Sequence, residues 1–144
     1  MSTQIYEKTL TANDTGETGG HQAGIHIPKS QTELLALLPY LDPTRKNPDA
    51  WLEITDETGV TWRFRYIHYN NKFHDKGGTR DEYRITHMTK YFRAVGAVEG
   101  DIMTISGTPG SHGYTISVRK ADGSQDLRSD GPVRIRLKGW RRVH

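Results

Sequence analysis

One stretch of the chain decides its fold class: Val60-Thr-Trp-Arg-Phe-Arg-Tyr-Ile-His-Tyr69. Four of its side chains are predicted to share one face of a β-strand, namely Trp62, Phe64, Tyr66 and His68. The residues between them are predicted to share the other face, namely Arg63, Arg65, Ile67 and Tyr69. A period of two is typical of a strand with one face in the core.

The segments around this strand extend the same pattern. Residues 51–55 are predicted to pair with it through the turn at 56–59, where Gly59 can adopt a positive φ. Besides a short, mixed segment at 4–10, strands are predicted at 22–27, 80–86, 101–106, 114–120 and 133–138. A loop is predicted at 11–20, and short helices at 28–38, where Ser30 and Glu33 have capping-box spacing, and at 87–94. We therefore expect a mainly β fold of about seven strands with two short α-helices, closed or nearly closed into a barrel.

Length and composition limit the class of protein. The 144 residues are predicted to form a single domain, residues 1–144. The chain has no cysteine, which excludes disulfides, thiolate zinc sites and a cysteine nucleophile. No apolar run approaches the roughly 20 residues that cross a bilayer. We expect a soluble cytoplasmic protein with no membrane partner.

Charge is distributed unevenly along the chain. The formal net charge is only +3, but residues 1–60 carry 4 basic and 9 acidic side chains, whereas residues 61–93 carry 8 and 3. Aromatic residues are interleaved with the basic ones in the second segment, a combination that favours a polyanionic partner. A solvated strand face is the alternative interpretation of the same charges.

Metal-dependent catalysis finds little support in the spacing of the seven histidines. They form no HxH or HExxH pattern, and the acidic residues do not match the spaced acid, acid-x-lysine pattern of common restriction nucleases. We predict no metal site, no cofactor and no catalytic residue. Two alternatives stay open: a small metal-dependent nuclease that uses some of the histidines, and a single-strand or RNA-binding barrel that stacks bases on Tyr69, Phe73 and Tyr83.

Two polar, glycine-containing loops carry the side chains that read bases, residues 13–22 and residues 72–84. Arginine can bond guanine bidentately, a carboxylate can accept from cytosine, and Asn or Gln can serve adenine. We expect Asn13 and Gln22 to contact bases, and Lys72 and Lys76 to contact phosphates. Seven further residues of these loops are expected to contact DNA: Asp14, Thr15, Thr18, Gly19, Gly20, Thr79 and Asp81.

Residues 10–28, together with Tyr69-Asn70 and the run 79–86 (Thr-Arg-Asp-Glu-Tyr-Arg-Ile-Thr), resemble the N-terminal effector domain of EcoRII-type restriction endonucleases. The resemblance implies a DNA-binding pseudobarrel related to the plant B-three type, with two arms that grip the major groove of duplex CC(A/T)GG. The loops 13–22 and 72–84 are then the first arm and the second arm. Four residues match the family's base-recognition positions: His21, Arg80, Glu82 and Arg84.

The resemblance also covers positions where this chain differs from the family. Tyr83 and Gly78 each stand in place of a lysine, and His26 stands in place of a tyrosine; Tyr83 and His26 are expected among the arm contacts. In this family the nuclease is a separate C-terminal domain. The chain is therefore expected to bind without cleaving, as a prokaryotic specificity domain that is monomeric when isolated and normally linked to a nuclease domain.

Overall fold

The computed structural model describes residues 3–16, 24–111, 113–121 and 139–143. Eight strands are present in this part of the chain: β1 (Gln4–Thr9), β2 (Ile25–Ile27), β3 (Asp49–Asp56), β4 (Thr61–Tyr69), β5 (Glu82–Thr86), β6 (Ile102–Gly107), β7 (Gly113–Arg119) and β8 (Trp140–Val143). Three α-helices accompany them: α1 (Ala12–Thr15), α2 (Thr32–Leu37) and α3 (Thr89–Val95). A single 3-10 turn spans Asn71–Phe73.

The eight strands form one sheet in the order β2-β5-β4-β3-β7-β6-β1-β8. All neighbouring pairs are antiparallel except β3 and β7, which are parallel. The two outer strands of this order meet where Trp140 Nε1 donates a hydrogen bond of 3.0 Å to the carbonyl oxygen of His26. The sheet thus curls into a nearly closed barrel, and the predicted mainly β fold class is confirmed.

The core follows the alternation of β4. Phe64 and Tyr66 on its inner face are buried to 0% and 2% exposure, and they belong to one continuous apolar cluster. Helix α2 adds Leu34 and Leu37 to this cluster, while Tyr114 Oη donates to the Leu37 carbonyl oxygen, so that a helix-end acceptor is satisfied inside the core. No helix in the described ranges is long and apolar enough to span a membrane.

The β3–β4 hairpin closes as predicted, with Gly59 at φ 92°. Asp56 organises the turn because its carboxylate accepts from the backbone N–H groups of Thr58 and Val60 and from the indole of Trp62. The hydrogen bonds from Trp62 and Thr58 lower the pKa of Asp56 to about 2.

Four local predictions need correction. The polar run 11–20 contains helix α1, because Thr11 and Asp14 form a reciprocal capping box. The capping box predicted at Ser30 is absent, since α2 begins after Gln31, which makes no side-chain cap. The count of about seven strands missed the terminal pairing of β8 with β1, and the count of two helices missed α1. The strand predicted at 133–138 lies outside the described residues.

Candidate functional site

Polar side chains converge on the outer face of β2, β5 and β4. Cross-strand register places His26 of β2 opposite Arg84 of β5. On the other side of β5, Glu82 lies opposite Tyr69 and Thr86 opposite Arg65, both on β4. On one face of a sheet, the Cβ atoms of directly opposed residues lie about 4.5–5.5 Å apart. The strands between the arms therefore carry polar side chains on this face, interrupted by buried Ile67 opposite Arg84.

A groove of about 570 Å³ lies on this face. Its lining comes from both arms and from the strands between them: Asn13, Gly24, Arg65, Tyr69, Arg80, Arg84, Thr86 and His87. Three arginines and no carboxylate are among these lining residues. The groove therefore presents donors suited to phosphate oxygens and to guanine.

Arg80 is held in place before any ligand arrives. Its guanidinium carbon lies 3.8 Å from the centroid of the Tyr69 ring, and Nη2 donates to Glu82 Oε2 at 2.6 Å. Arg84 Nη1 lies 3.5 Å from the same carboxylate oxygen. Half of the Arg80 side chain (45%) nevertheless stays exposed. The arginine is restricted in orientation yet open to a ligand, an arrangement that reduces the entropy lost on binding.

Glu82 is the acidic centre of this cluster. Partial burial acts to raise the pKa of its carboxyl, but the hydrogen bond and charge of Arg80, with the charges of Arg84 and His26, hold that pKa below its ordinary value. Burial, together with the charge of Arg84, also lowers the pKa of exposed His26. Near neutral pH the cluster thus pairs an ionised carboxylate with two arginines. Glu82 was expected either to read cytosine or to position an arginine, and this geometry favours the positioning of an arginine.

The loop of the second arm folds back on itself before β5. The backbone N–H of Lys72 donates to the Arg80 carbonyl oxygen at 3.0 Å, and the backbone N–H of Arg80 donates to Asn71 Oδ1 at 2.8 Å. Lys72, Lys76 and Thr79 are exposed on this loop. The predicted phosphate contacts are accordingly accessible, and the loop delivers Arg80 to the start of the strand.

Gly78 permits this folding. A Cβ at position 78 would lie 2.2 Å from the Asn71 carbonyl oxygen, a backbone atom that cannot simply rotate away. We expect Gly78→Ala to displace Arg80 and, if the arm binds DNA as the resemblance implies, to weaken that binding by about 1 kcal/mol or more, the lower range for one base contact. Gly113→Ala is the matched control, because a Cβ there meets nothing within 4 Å. Equal affinities of the two variants in a gel-shift titration would contradict this role for Gly78.

Asp81 and Tyr83 lie on the opposite side of β5 from the arginines. Asp81 Oδ2 lies 2.5 Å from Lys29 Nζ, and its Oδ1 lies 2.9 Å from Nε2 of buried His68. These hydrogen bonds, that of Lys29 first, lower the pKa of Asp81. Tyr83 stacks on the His68 ring with centroids 4.1 Å apart. Since Lys29 follows β2, the network ties the return strand of the first arm to the root of the second.

The connector before β3 supports the second arm from below. Asn70 is 1% exposed; its amide nitrogen donates to the Arg45 carbonyl oxygen and its Oδ1 accepts from the Asn47 backbone N–H at 2.7 Å. Lys46 and Asp75 form an ion pair of 2.6 Å. The position of the second arm is therefore fixed by contacts on both of its sides.

The structure describes residues 13–16 of the first arm and resumes at Gly24, just after it. Exposed Asn13 lies in α1 and lines the groove, whereas Asp14 is buried and pairs with Lys8 at 2.6 Å. Thr15 Oγ1 donates to the Ala12 carbonyl oxygen. Gly24 N–H donates to the Asp14 carbonyl oxygen at 3.1 Å, which closes the root of the arm. The other predicted contacts of this arm lie outside the described residues: Thr18, Gly19, Gly20, His21 and Gln22.

Gly24 also joins the two arms. A Cβ at this position would lie 2.7 Å from the Ile85 carbonyl oxygen, so the chain can press against β5 here only as glycine. Six residues that take part in this arrangement were not among the predicted site residues: Gly24, Lys29, Arg65, Tyr69, Thr86 and His87. The alternation of β4 already placed Arg65 and Tyr69 on the face opposite the core. The register that sets them beside β5 has no comparable local signal.

No group of three or more His, Asp or Glu side chains within the described ranges is arranged to hold a metal ion. The donors at the groove are instead guanidinium groups and a phenol, which recognise anions and base edges.

Comparison with known proteins adds three findings. The family model described as "Restriction endonuclease EcoRII, N-terminal" matches residues 1–103. The Escherichia coli protein "Type II restriction enzyme EcoRII" is 41% identical over 85 residues, which cover 57% of this chain and 20% of that protein, so the chain spans about a fifth of the length of this relative. The solved "Arabidopsis FUS3-DNA complex" matches with a TM-score of 0.61 at 23% identity, over 83% of this chain and 99% of that one, which shows a shared fold.

Proposed function

The chain belongs to the family of EcoRII N-terminal domains, and we propose from this that it binds duplex DNA sequence-specifically, at CC(A/T)GG, through the major groove. Arg80 and Arg84 read guanines, Glu82 positions Arg80, and the first arm, with Asn13, His21 and Gln22, serves the other half of the site. The match to an N-terminal part supports a specificity domain of a type II restriction endonuclease, with cleavage carried out by a separate domain.

One observation carries this proposal: Arg80, just before β5, lies with Glu82 and Arg84 of the outer face of β5 beside the groove, and Arg80 is held between Tyr69 and Glu82. Bidentate reading of guanine needs a planar guanidinium whose orientation is fixed and whose N–H edge is open. Without a ligand, Arg80 is oriented by Tyr69 and Glu82 while 45% of its side chain is exposed. The closeness of the two arginines, which share a carboxylate, matches a target with adjacent guanines.

The proposed target is tested by replacing each base pair of a CCAGG duplex in turn and measuring affinity by gel shift. We expect each change at a G·C pair to cost about 1–3 kcal/mol, because a bidentate contact is lost. Exchange of the central A·T pair for T·A should cost much less, since both are allowed in the proposed site. Uniform affinity across the series would refute specific recognition.

Lys72 and Lys76 are proposed to contact phosphates. Lys72→Ala and Lys76→Ala should weaken binding to all sequences alike, and each should reduce the slope of log K against log salt by about 0.9, the contribution of one neutralised phosphate. The measurement is an affinity series from about 50 to 200 mM salt on CCAGG and on a scrambled duplex. A loss confined to CCAGG would instead indicate that the lysine reads a base.

Two rival functions are separated by simple assays. Incubation of the chain with CCAGG plasmid and magnesium should leave the DNA intact, whereas cleavage would favour the metal-dependent nuclease. Competition with single-stranded DNA or RNA should not displace the duplex, whereas displacement would favour base stacking on Tyr69, Phe73 and Tyr83. We further propose that the isolated domain is monomeric and that it acts in a prokaryotic cytoplasm, linked to a nuclease domain.

A further inference from the structure

Three side chains form an exposed cluster beyond one end of the groove, which we term the rim cluster: Trp51, Arg63 and His87. Trp51 is 45% exposed on the outer face of β3. The Arg63 guanidinium carbon lies 4.9 Å from the centroid of its ring, and the His87 ring meets it edge-on at 5.1 Å. An exposed tryptophan costs hydration free energy unless something covers it. The Trp51 ring is the surface on which the Arg63 guanidinium and the His87 ring both pack.

The rim cluster is continuous with the groove. His87 itself lines the groove, and Trp51 lies directly opposite Arg65, another lining residue, in the β3–β4 register. His87 adopts φ 67°, a left-handed conformation that is unfavourable for a residue with a Cβ. A hydrogen bond of 2.9 Å between Thr86 Oγ1 and His87 Nδ1, with the contact on Trp51, holds the His87 ring where the groove passes onto β3.

The chemistry of the rim cluster suits a phosphodiester. Arg63 and the indole N–H of Trp51 are donors, and both side chains are exposed. Two carboxylates share this face of β3: Asp49, which is bound to Arg65 at 2.6 Å, and Glu53, which lies opposite Arg63. Arg63 forms no ion pair with a described residue, and its stacking on Trp51 restricts it without neutralising it.

Distance along β4 places Arg63 outside the bases that the second arm reads. Arg63 precedes Tyr69 by six residues on β4, which is about 20 Å at the rise of a strand. A site of five base pairs covers about 17 Å. A duplex seated against the second arm would therefore reach Arg63 with its flanking backbone rather than with its recognised bases.

We propose that the rim cluster binds the sugar–phosphate backbone of duplex DNA flanking the recognition site, with Arg63 as the phosphate contact and Trp51 as the platform that orients it. The proposal rests on the proposed function, because it assumes a duplex in the groove. It assigns the cluster to affinity and salt dependence, and it leaves sequence discrimination to the arms.

The test compares Arg63→Ala with the parent chain on two CCAGG duplexes, of about 25 and about 9 base pairs, by fluorescence anisotropy at several salt concentrations. Arg93→Ala is the matched control, since it removes an exposed arginine from α3 without touching the groove. We expect Arg63→Ala to weaken binding of the longer duplex about 3- to 10-fold, to reduce its salt slope by about 0.9, and to change the shorter duplex by less than about twofold. The ratio of affinities for CCAGG and a scrambled duplex should not change.

The possible outcomes separate the two proposals. Parent-like binding of the longer duplex by Arg63→Ala, or an equal loss on both duplexes, overturns the rim contact and leaves the proposed function in place. A parent chain that binds CCAGG and scrambled duplexes equally, but still loses affinity with Arg63→Ala on the longer duplex only, overturns the sequence specificity and supports the rim contact. A parent chain that binds neither duplex overturns both.

Discussion

Asp14→Asn is expected to destabilise the protein by about 3–5 kcal/mol, although Asp14 lies in a polar segment beside a proposed DNA-binding arm. The side chains of Lys8 and Asp14 are only 8% and 7% exposed, and Nζ lies 2.6 Å from Oδ2. Replacing the carboxylate leaves a buried ammonium group without its counter-charge, and water cannot reach it to compensate. The measurement is urea unfolding of parent and variant at neutral pH.

A double variant distinguishes the charge from the cap. Asp14 Oδ2 also accepts from the Thr11 backbone N–H at 3.0 Å, so part of any loss comes from helix α1. Asparagine retains a side-chain oxygen for this hydrogen bond but not the charge. Lys8→Met combined with Asp14→Asn removes both charges and should recover most of the lost stability. If the double variant is no more stable than Asp14→Asn alone, the ion pair is not the cause.

The same residue shows where sequence reasoning stops. Residues 11–20 are rich in Thr, Asn, Asp and Gly, which predicts a solvated loop, and Asp14 was expected to face DNA as part of that loop. The spacing of Thr11 and Asp14 is that of a capping box, but Asp takes the place of the usual Glu or Gln. The burial of Asp14 depends on Lys8, whose side chain lies inside only because of how β1 packs. No local pattern carries that information.

β4 gives the opposite result. Its alternation predicted the strand and the shared face of Phe64 and Tyr66, because the period of two is imposed by the backbone itself, and the structure shows that this face enters the core. The arrangement of side chains on the outer face could not be predicted from the sequence to the same extent. Tyr69 lies opposite Glu82 only after the intervening loop folds back on Asn71, and the length of that loop does not fix the register.

Gly78 is a position where the sequence pattern and the structure give different information. In the family that the sequence resembles, a lysine stands at this position, and the sequence alone gives no reason for glycine. The structure gives a steric reason for glycine, since a Cβ would meet the Asn71 carbonyl oxygen. Exposed Lys76 stands two residues earlier in the same loop. Glycine at position 78 is therefore explained by the path of the backbone, and Lys76 still supplies a positive charge nearby.

Arg80→Ala and Arg84→Ala are each expected to reduce affinity for CC(A/T)GG by about 1–3 kcal/mol, roughly 5- to 150-fold, while affinity for a scrambled duplex falls far less. The physical reason is that each guanidinium donates two N–H groups to one guanine edge, and alanine leaves the O6 and N7 acceptors of that guanine unpaired. Gel-shift titrations on specific and scrambled duplexes measure both affinities.

Arg80→Lys separates base reading from charge. Lysine retains the positive charge and can still attract phosphates, but it lacks the planar fork that stacks on Tyr69 and bonds Glu82 at the same time. We expect Arg80→Lys to keep the salt dependence of the parent and to lose most of its discrimination between CCAGG and the scrambled duplex. If Arg80→Lys discriminates as well as the parent while Arg80→Ala does not, Arg80 contributes charge alone. The guanine reading would then rest with Arg84, whose guanidinium lies 3.5 Å from the same carboxylate.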